Sequence, residues 1–199
     1  MKSCAVAVVL LLPLLTAAPP GIDPGKVIGA TGAPMELEIF SSFDCPHCRV
    51  ANEEFVPQLV RDYVVPGKLF IVSREFPLTG PYHPYARQAA EFATAAARIG
   101  KYQQVADALF KNQAIWAANG KVWETVATVL TLPEQNKVKA LATDPSVTGE
   151  VQRDLDDGMR SGINSTPTMF LTAKGKRIPL PPGVPNYDLM RKILADFGR

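Results

Sequence analysis

Apolar positions along the chain alternate between two periods. From Met35 to Phe40 they interleave with acids, Leu37 and Ile39 against Glu36 and Glu38, the period of a strand with one buried face. Beyond Cys45 the spacing becomes helical. Phe55, Leu59 and Asp62-Tyr63 lead to Pro66-Gly67, and the pattern predicts a helix over 45–63. Lys68 to Ser73 is almost continuously apolar, as suits a strand covered on both faces. Strand, helix, strand in that order predicts a right-handed crossover and a parallel pair. Ahead of them, residues 19–34 are a Pro- and Gly-rich lead-in in which Val27-Ile28 makes a short edge strand.

From Glu75 to Pro84 a loop punctuated by Pro77, Gly80, Pro81 and Pro84 separates this unit from a stretch that shows helical periods alone. Ala89, Phe92, Ala96 and Ile99 mark one helix face; Val105, Leu109 and Phe110 mark a second; Val122, Val126, Val129 and Leu130 mark a third. Leu132-Pro133-Glu134 restarts a helix with Val138 and Leu141 on its apolar face. Val147, Val151, Leu155 and Met159 stand four apart and predict a further helix. Strands then return at Thr168–Leu171 and Arg177–Leu180, joined at Lys174-Gly175 as a hairpin. A last helix over 187–197 carries Leu189, Ile193 and Phe197 on one face.

Composition narrows the functional classes. A chain of 199 residues with 47% hydrophobic and 20% charged residues can build one substantial core. The net charge of +2, with no basic cluster interleaved with aromatics, gives no argument for nucleic acid or for an anionic membrane. Lys2, the apolar run Ala5–Leu15 and then Thr16-Ala17-Ala18 have the form of a secretory signal peptide over residues 1–18. An uncleaved anchor is the alternative. Cys4 leaves with the leader, so the exported chain keeps one cysteine pair in a compartment where disulfides persist.

That pair, Cys45 and Cys48 in Cys45-Pro46-His47-Cys48, falls where the first strand hands over to the helix. Free N–H groups and the helix dipole favour an anion there, which lowers the pKa of a thiol at the first turn. A low-pKa thiolate is a good leaving group, which makes the corresponding disulfide an oxidant. Two plainer readings compete. A zinc site would need both remaining histidines, His47 and His83, with His47 taken from inside the cysteine spacer. A structural disulfide across a two-residue spacer removes little entropy from the unfolded chain.

Taken with the late Thr166-Pro167 that precedes a strand, Cys45-Pro46-His47-Cys48 resembles the DsbA-like periplasmic thiol:disulfide oxidoreductases. The stretch from Pro84 through Gly100-Lys101-Tyr102 to Ala108-Leu109-Phe110 is similar to that family too. The resemblance implies an α/β, thioredoxin-like fold with an inserted helical domain. Its thioredoxin-like parts would be 35–78, starting as early as residue 27, and 150–199, with 79–149 inserted. It implies that Cys45 is an exposed nucleophile, that Cys48 resolves the mixed disulfide, and that Pro46 and His47 tune the potential. Pro167 would be a cis-proline, and Thr166 would offer backbone groups to an extended substrate.

No metal or organic cofactor is implied. The implied partners are unfolded or partly folded exported proteins with free cysteines, and a membrane-bound protein that reoxidises the pair. The location is the periplasm or outside the cell, and a monomer is the default. One departure stands out. Many relatives carry a buried acid six residues before the first cysteine, and here that residue is Ile39, with Glu36 and Glu38 directed to the opposite face. Asp44 reads as a helix N-cap. The rivals are a reductase or isomerase on the same fold and a non-enzymatic peptide-binding chaperone.

Overall fold

The computed structural model describes residues 21–198; the expected leader, with Cys4, lies outside them. A five-stranded sheet is built from Val27–Ile28 (β1), Met35–Ser41 (β2), Leu69–Glu75 (β3), Thr168–Ala173 (β4) and Lys176–Pro179 (β5), in the order β1-β3-β2-β4-β5. β2 and β3 are parallel, with Ser41 opposite Glu75, whereas β2 and β4 are antiparallel, with Phe40 opposite Thr168. The C-terminal end of β2 therefore lies beside the N-terminal end of β4. That register brings the cysteine turn next to Thr166-Pro167, which are more than a hundred residues away along the chain.

The crossover between β2 and β3 is the predicted helix, with a difference. It runs from an α-helical turn at Pro46–Val50 through a wider π-type stretch at Ala51–Phe55, an α-turn at Val56–Leu59 and a second π-type stretch at Val60–Val64. Pro57 lies inside it and has no N–H to give to the preceding turn, and the widened turn comes just before it. This helix (α1) and the C-terminal helix Tyr187–Phe197 cover one sheet face. Ala51, Phe55, Leu59, Met190 and Leu194 pack there on Leu37, Ile39, Leu69, Ile71, Met169 and Leu171. On the opposite face Phe40 meets Phe76 and Phe170 edge-on, at 6.5 and 5.9 Å between ring centres.

Between β3 and β4 lie the helices Ala86–Ala97, Tyr102–Lys111, Gln113–Asn119, Val122–Ala127, Leu132–Ala142 and Pro145–Arg160. Ala89, Ala93 and Ala96 form a small-residue face on the first of these. With Leu109, Phe110, Trp116, Val122, Val126 and Val138 they make a core of their own, which also takes in Phe43, Cys45 and Cys48. Helix starts follow their capping chemistry. Thr131 and Glu134 form a capping box, and Asp144 accepts the Ser146 N–H at 2.8 Å.

Four expectations change in detail. Helix Gln113–Asn119 has too few residues to show a period, and it is held by buried Trp116, whose indole N–H donates to the Leu109 carbonyl at 2.7 Å. β3 continues past the expected end at Ser73 through Arg74 and Glu75, the latter expected to open the loop; both are paired inside the protein. Met159, expected in the apolar stripe of its helix, is 54% exposed, and in the last helix Met190 and Leu194 are buried in place of Leu189. The stripe of that helix is centred one position along from the expected one.

A buried ionic cluster ties the lead-in to the rest. The turn Pro24–Lys26 points Lys26 inward, where Nζ lies 2.8 Å from Glu150, 3.2 Å from Asp154 and 3.8 Å from Glu75. Burial alone would lower the Lys26 pKa, but the three carboxylates outweigh it and hold the ammonium charged. Gly25 makes this approach feasible, because a Cβ there would run into the Ala97 carbonyl. Gly25→Ala should therefore cost about 1–3 kcal/mol. Gly149→Ala, whose Cβ would meet only Arg153 Nη1 at 3.5 Å, should gain up to ~1 kcal/mol of helix propensity. Chemical denaturation of both variants checks the pair: equal shifts in the midpoint would contradict this packing.

Candidate active site

β2 ends at Ser41, and a tight turn closes with the Cys45 N–H bonded to the Ser42 carbonyl at 3.1 Å. Cys45 has extended backbone angles (φ −81°, ψ 121°) and is the N-cap of the helix that opens at Pro46. Proline is well suited to this first position, where an N–H would have no intrahelical acceptor. Cys48 lies one turn along, on the inward side. Pro46 and His47 are exposed. Cys45 retains 5% of its accessible surface and Cys48 1%, so the expected order holds, but Cys45 is buried rather than open. Both are thiols in this structure.

The two sulfurs differ sharply in acidity. The Cys45 pKa is lowered to about 5, chiefly because the Cys48 S–H donates to it. Burial opposes that shift; the Thr166 hydroxyl and the backbone N–H groups of Cys48 and His47 add to it. Cys48 is pushed the other way, by burial first and then by its neighbour's charge, with the Ser41 hydroxyl partly offsetting both. Such a pair holds one thiolate and one thiol at neutral pH. His47 reaches the thiolate through its backbone N–H, and its side chain is exposed.

Thr166 and Pro167 stand against the same sulfur. Their peptide bond is cis, both residues are buried, and as a thiol Cys45 donates to the Thr166 carbonyl at 3.2 Å. The buried Thr166 hydroxyl has no hydrogen-bond partner while Cys45 is a thiol, which leaves it for the thiolate. Beside this loop runs a groove of about 400 Å³ whose apolar lining includes Ile163, Phe170 and Leu180.

Asp44 does not cap the helix; Cys45 occupies that position. The Asp44 carboxylate is turned away from the sulfurs, accepting from the Ser42 hydroxyl at 2.5 Å and facing His83 Nδ1 at 2.6 Å. Ser42 Oγ in turn accepts the Leu78 N–H at 3.1 Å, so the Pro- and Gly-rich loop after β3 is pinned to the cysteine turn. From the other side Gln113, 5% exposed, donates through Nε2 to the carbonyls of Phe43 and Cys45 at 2.7 and 2.9 Å. Sequence reasoning missed Gln113, Ser41 and the Asp44–His83 pair, and a lone glutamine in a short helix carries no signal that would have found it. Ile39 faces the α1 side, while Glu38 lies on the opposite face between Arg74 and Arg177 at 3.2 and 2.5 Å, as the strand period requires.

A turn that presents a Cys-x-x-Cys couple of split acidity at a helix N-terminus, against a cis Thr-Pro loop on a mixed sheet, is the arrangement of a thioredoxin-like fold. The chain belongs to the thioredoxin family, whose model, described as Thioredoxin, matches residues 23–187. Among solved structures it is similar to alpha-DsbA1 of Wolbachia pipientis (TM-score 0.71, 18% identity, 87% of this chain and 90% of that one). It is also similar to a thioredoxin-like oxidoreductase of Silicibacter pomeroyi (TM-score 0.68, 23% identity, 90% and 96%). At these identities the likeness is one of fold. A relative named Na(+)/H(+) antiporter NhaA 3, from Salinispora tropica, is 30% identical over 77% of this chain. The chain spans only 22% of that relative's length. Among the described residues no helix is long and apolar enough to cross a membrane.

The acidity of Cys45 can be titrated directly. Its depressed pKa stabilises the folded, reduced protein fully above the ordinary thiol value of 9.0, and this contribution declines as pH falls from there and is gone below about 5. Thiolate ultraviolet absorbance of the reduced protein should show one midpoint near 5, and Cys48→Ala should move it upward by removing the strongest donor. An unchanged midpoint in Cys48→Ala would contradict that assignment.

Proposed function

We propose that this chain is an oxidase that introduces disulfides into exported proteins through the Cys45–Cys48 couple. The observation that carries the reading is the stabilised Cys45 thiolate, because a couple whose reduced form is favoured gives up its disulfide readily. The value of about 5 lies between about 7 for thioredoxin and about 3.5 for DsbA.

In this reading a substrate thiolate attacks Cys45 Sγ in the Cys45–Cys48 disulfide. Cys48 leaves and is protonated. A second substrate thiolate then attacks the substrate sulfur of the mixed disulfide, releasing an oxidised substrate and the Cys45 thiolate. Cys45 is the attacked and attacking sulfur, and Cys48 is the resolving one. Pro46 fixes the start of the helix, and His47 supplies a backbone N–H to the thiolate. Thr166 and Pro167 receive an extended segment of substrate, whose apolar side chains fit the adjoining groove.

The substrates are unfolded or partly folded exported chains with free thiols. Reoxidation falls to a membrane-bound partner. The working location is outside the cytoplasm, after removal of residues 1–18, and 79–149 forms the inserted helical domain. The experiment is the oxidation of a reduced, unfolded protein by stoichiometric oxidised enzyme. Wild type should transfer its disulfide within seconds, whereas Cys45→Ala and Cys48→Ala, neither of which can form the couple, should transfer none. A wild-type protein that instead reduces a substrate disulfide and holds its own couple oxidised would move the assignment to a reductase.

A further inference from the structure

In the reduced protein the proton on Cys48 is held by the Cys45 thiolate. Once Cys45 is part of a mixed disulfide that acceptor is gone, and Cys48 must lose its proton elsewhere before it can attack. Ile39 occupies the position from which an acid would serve. The polar groups around Cys48 lead in another direction. Cys48, Ser41, Ser73 and Tyr102 line one cavity of about 40 Å³, room enough for a single water with several polar partners. The Ser41 hydroxyl reaches Cys48, the Ser73 hydroxyl reaches Tyr102, and Tyr102 Oη donates to Glu75 Oε1 at 2.8 Å.

Glu75 is 1% exposed and sits at the end of β3. The groups facing it come from each element packed around it. Lys26, from the turn before β1, lies at 3.8 Å, and Tyr102 comes from its own helix. From helix Pro145–Arg160, Asp154 accepts the Glu75 N–H at 3.1 Å, and Glu150 stands beyond Lys26. Arg74 holds Asp154 at 2.7 Å and Arg98 holds Glu150 at 2.5 Å. The cations thus serve the outer carboxylates more closely than they serve Glu75. Burial pushes the Glu75 carboxyl up to about 7, against the pull of Lys26 and Tyr102, where it can exchange a proton near neutral pH.

We propose that Glu75 is the proton reservoir for Cys48, reached through the Tyr102 hydroxyl and a water in the shared cavity. This rests on the reading of Cys45–Cys48 as the exchanging couple. As Cys48 attacks, its proton passes through the water and Tyr102 to the Glu75 carboxylate. The Cys48 sulfur bonds to Cys45 Sγ, and the bond from Cys45 to the partner sulfur breaks, with the electron pair leaving on that thiolate. In the opposite direction the Glu75 carboxyl returns the proton to Cys48 as it departs. Glu75 positions the proton and bonds to neither sulfur.

The test mixes reduced protein with oxidised glutathione. A first phase, dependent on glutathione concentration, forms the Cys45–glutathione mixed disulfide and releases one glutathione. A second, independent of that concentration, closes Cys45–Cys48 and releases the other. Acid quenching and mass spectrometry separate them. The wild-type second phase should rise with an inflection near pH 7. Glu75→Gln and Tyr102→Phe should remove the inflection and slow the second phase on the order of tenfold at pH 8, and Glu75→Asp should restore an inflection. Should Glu75→Gln fail to fold, Tyr102→Phe keeps the ring, loses only the hydroxyl and carries the test. A Tyr102→Phe protein with the wild-type pH profile would overturn the proposal. Absence of any first phase in the wild type would instead sink the exchange reading beneath it.

Discussion

The Cys45 thiolate is held by donors from two separate regions of the chain: the Cys48 S–H and two backbone N–H groups at the start of α1, and the Thr166 hydroxyl ahead of β4. Together they require that the end of β2, the start of α1 and the loop before β4 meet at one point, and much of the architecture serves that meeting. The antiparallel register of β2 with β4 brings the Thr166-Pro167 loop alongside. Gln113 fixes the carbonyls of Phe43 and Cys45 from the helical block, and Asp44 with Ser42 anchors the loop after β3.

The cysteines also join the core of the helical block rather than that of the sheet, since Cys45 and Cys48 pack with Phe43, Leu109, Phe110 and Trp116. This placement has two opposing effects. Low dielectric strengthens each hydrogen bond to the thiolate, but it penalises any second charge, so Cys48 stays protonated. Asymmetry between the two sulfurs thus follows from depth and from the direction in which the helix points. The buried cluster of Lys26, Glu75, Glu150 and Asp154 is of a different kind. It joins the lead-in, β3 and the helix Pro145–Arg160, and its Glu75–Tyr102 arm reaches toward the cavity beside Cys48.

The strands, the crossover helix and the cysteine motif were legible in the sequence because each has a local signature: alternation in Met35–Phe40, helical spacing after Cys45, and Thr-Pro before an apolar run. What was not legible depends on distant partners. Asp44 looks like a cap locally, and only the return of the loop carrying His83 gives it a different partner. Glu75 reads as the start of a loop, and nothing local marks Lys26 as its partner until the fold places them together. Gln113 owes its role to two carbonyls about seventy residues away in sequence. Rotation of the last helix, with Met190 in place of Leu189, was set by packing against the sheet rather than by the stripe itself.

The central claim is that the fold favours the dithiol over the disulfide at Cys45–Cys48. Its most direct test is the equilibrium of that couple against a glutathione redox buffer at pH 7. The account predicts an oxidising couple, with a potential at or above about −180 mV, the value for protein disulfide isomerase. A couple near about −270 mV, as reducing as thioredoxin, would contradict it.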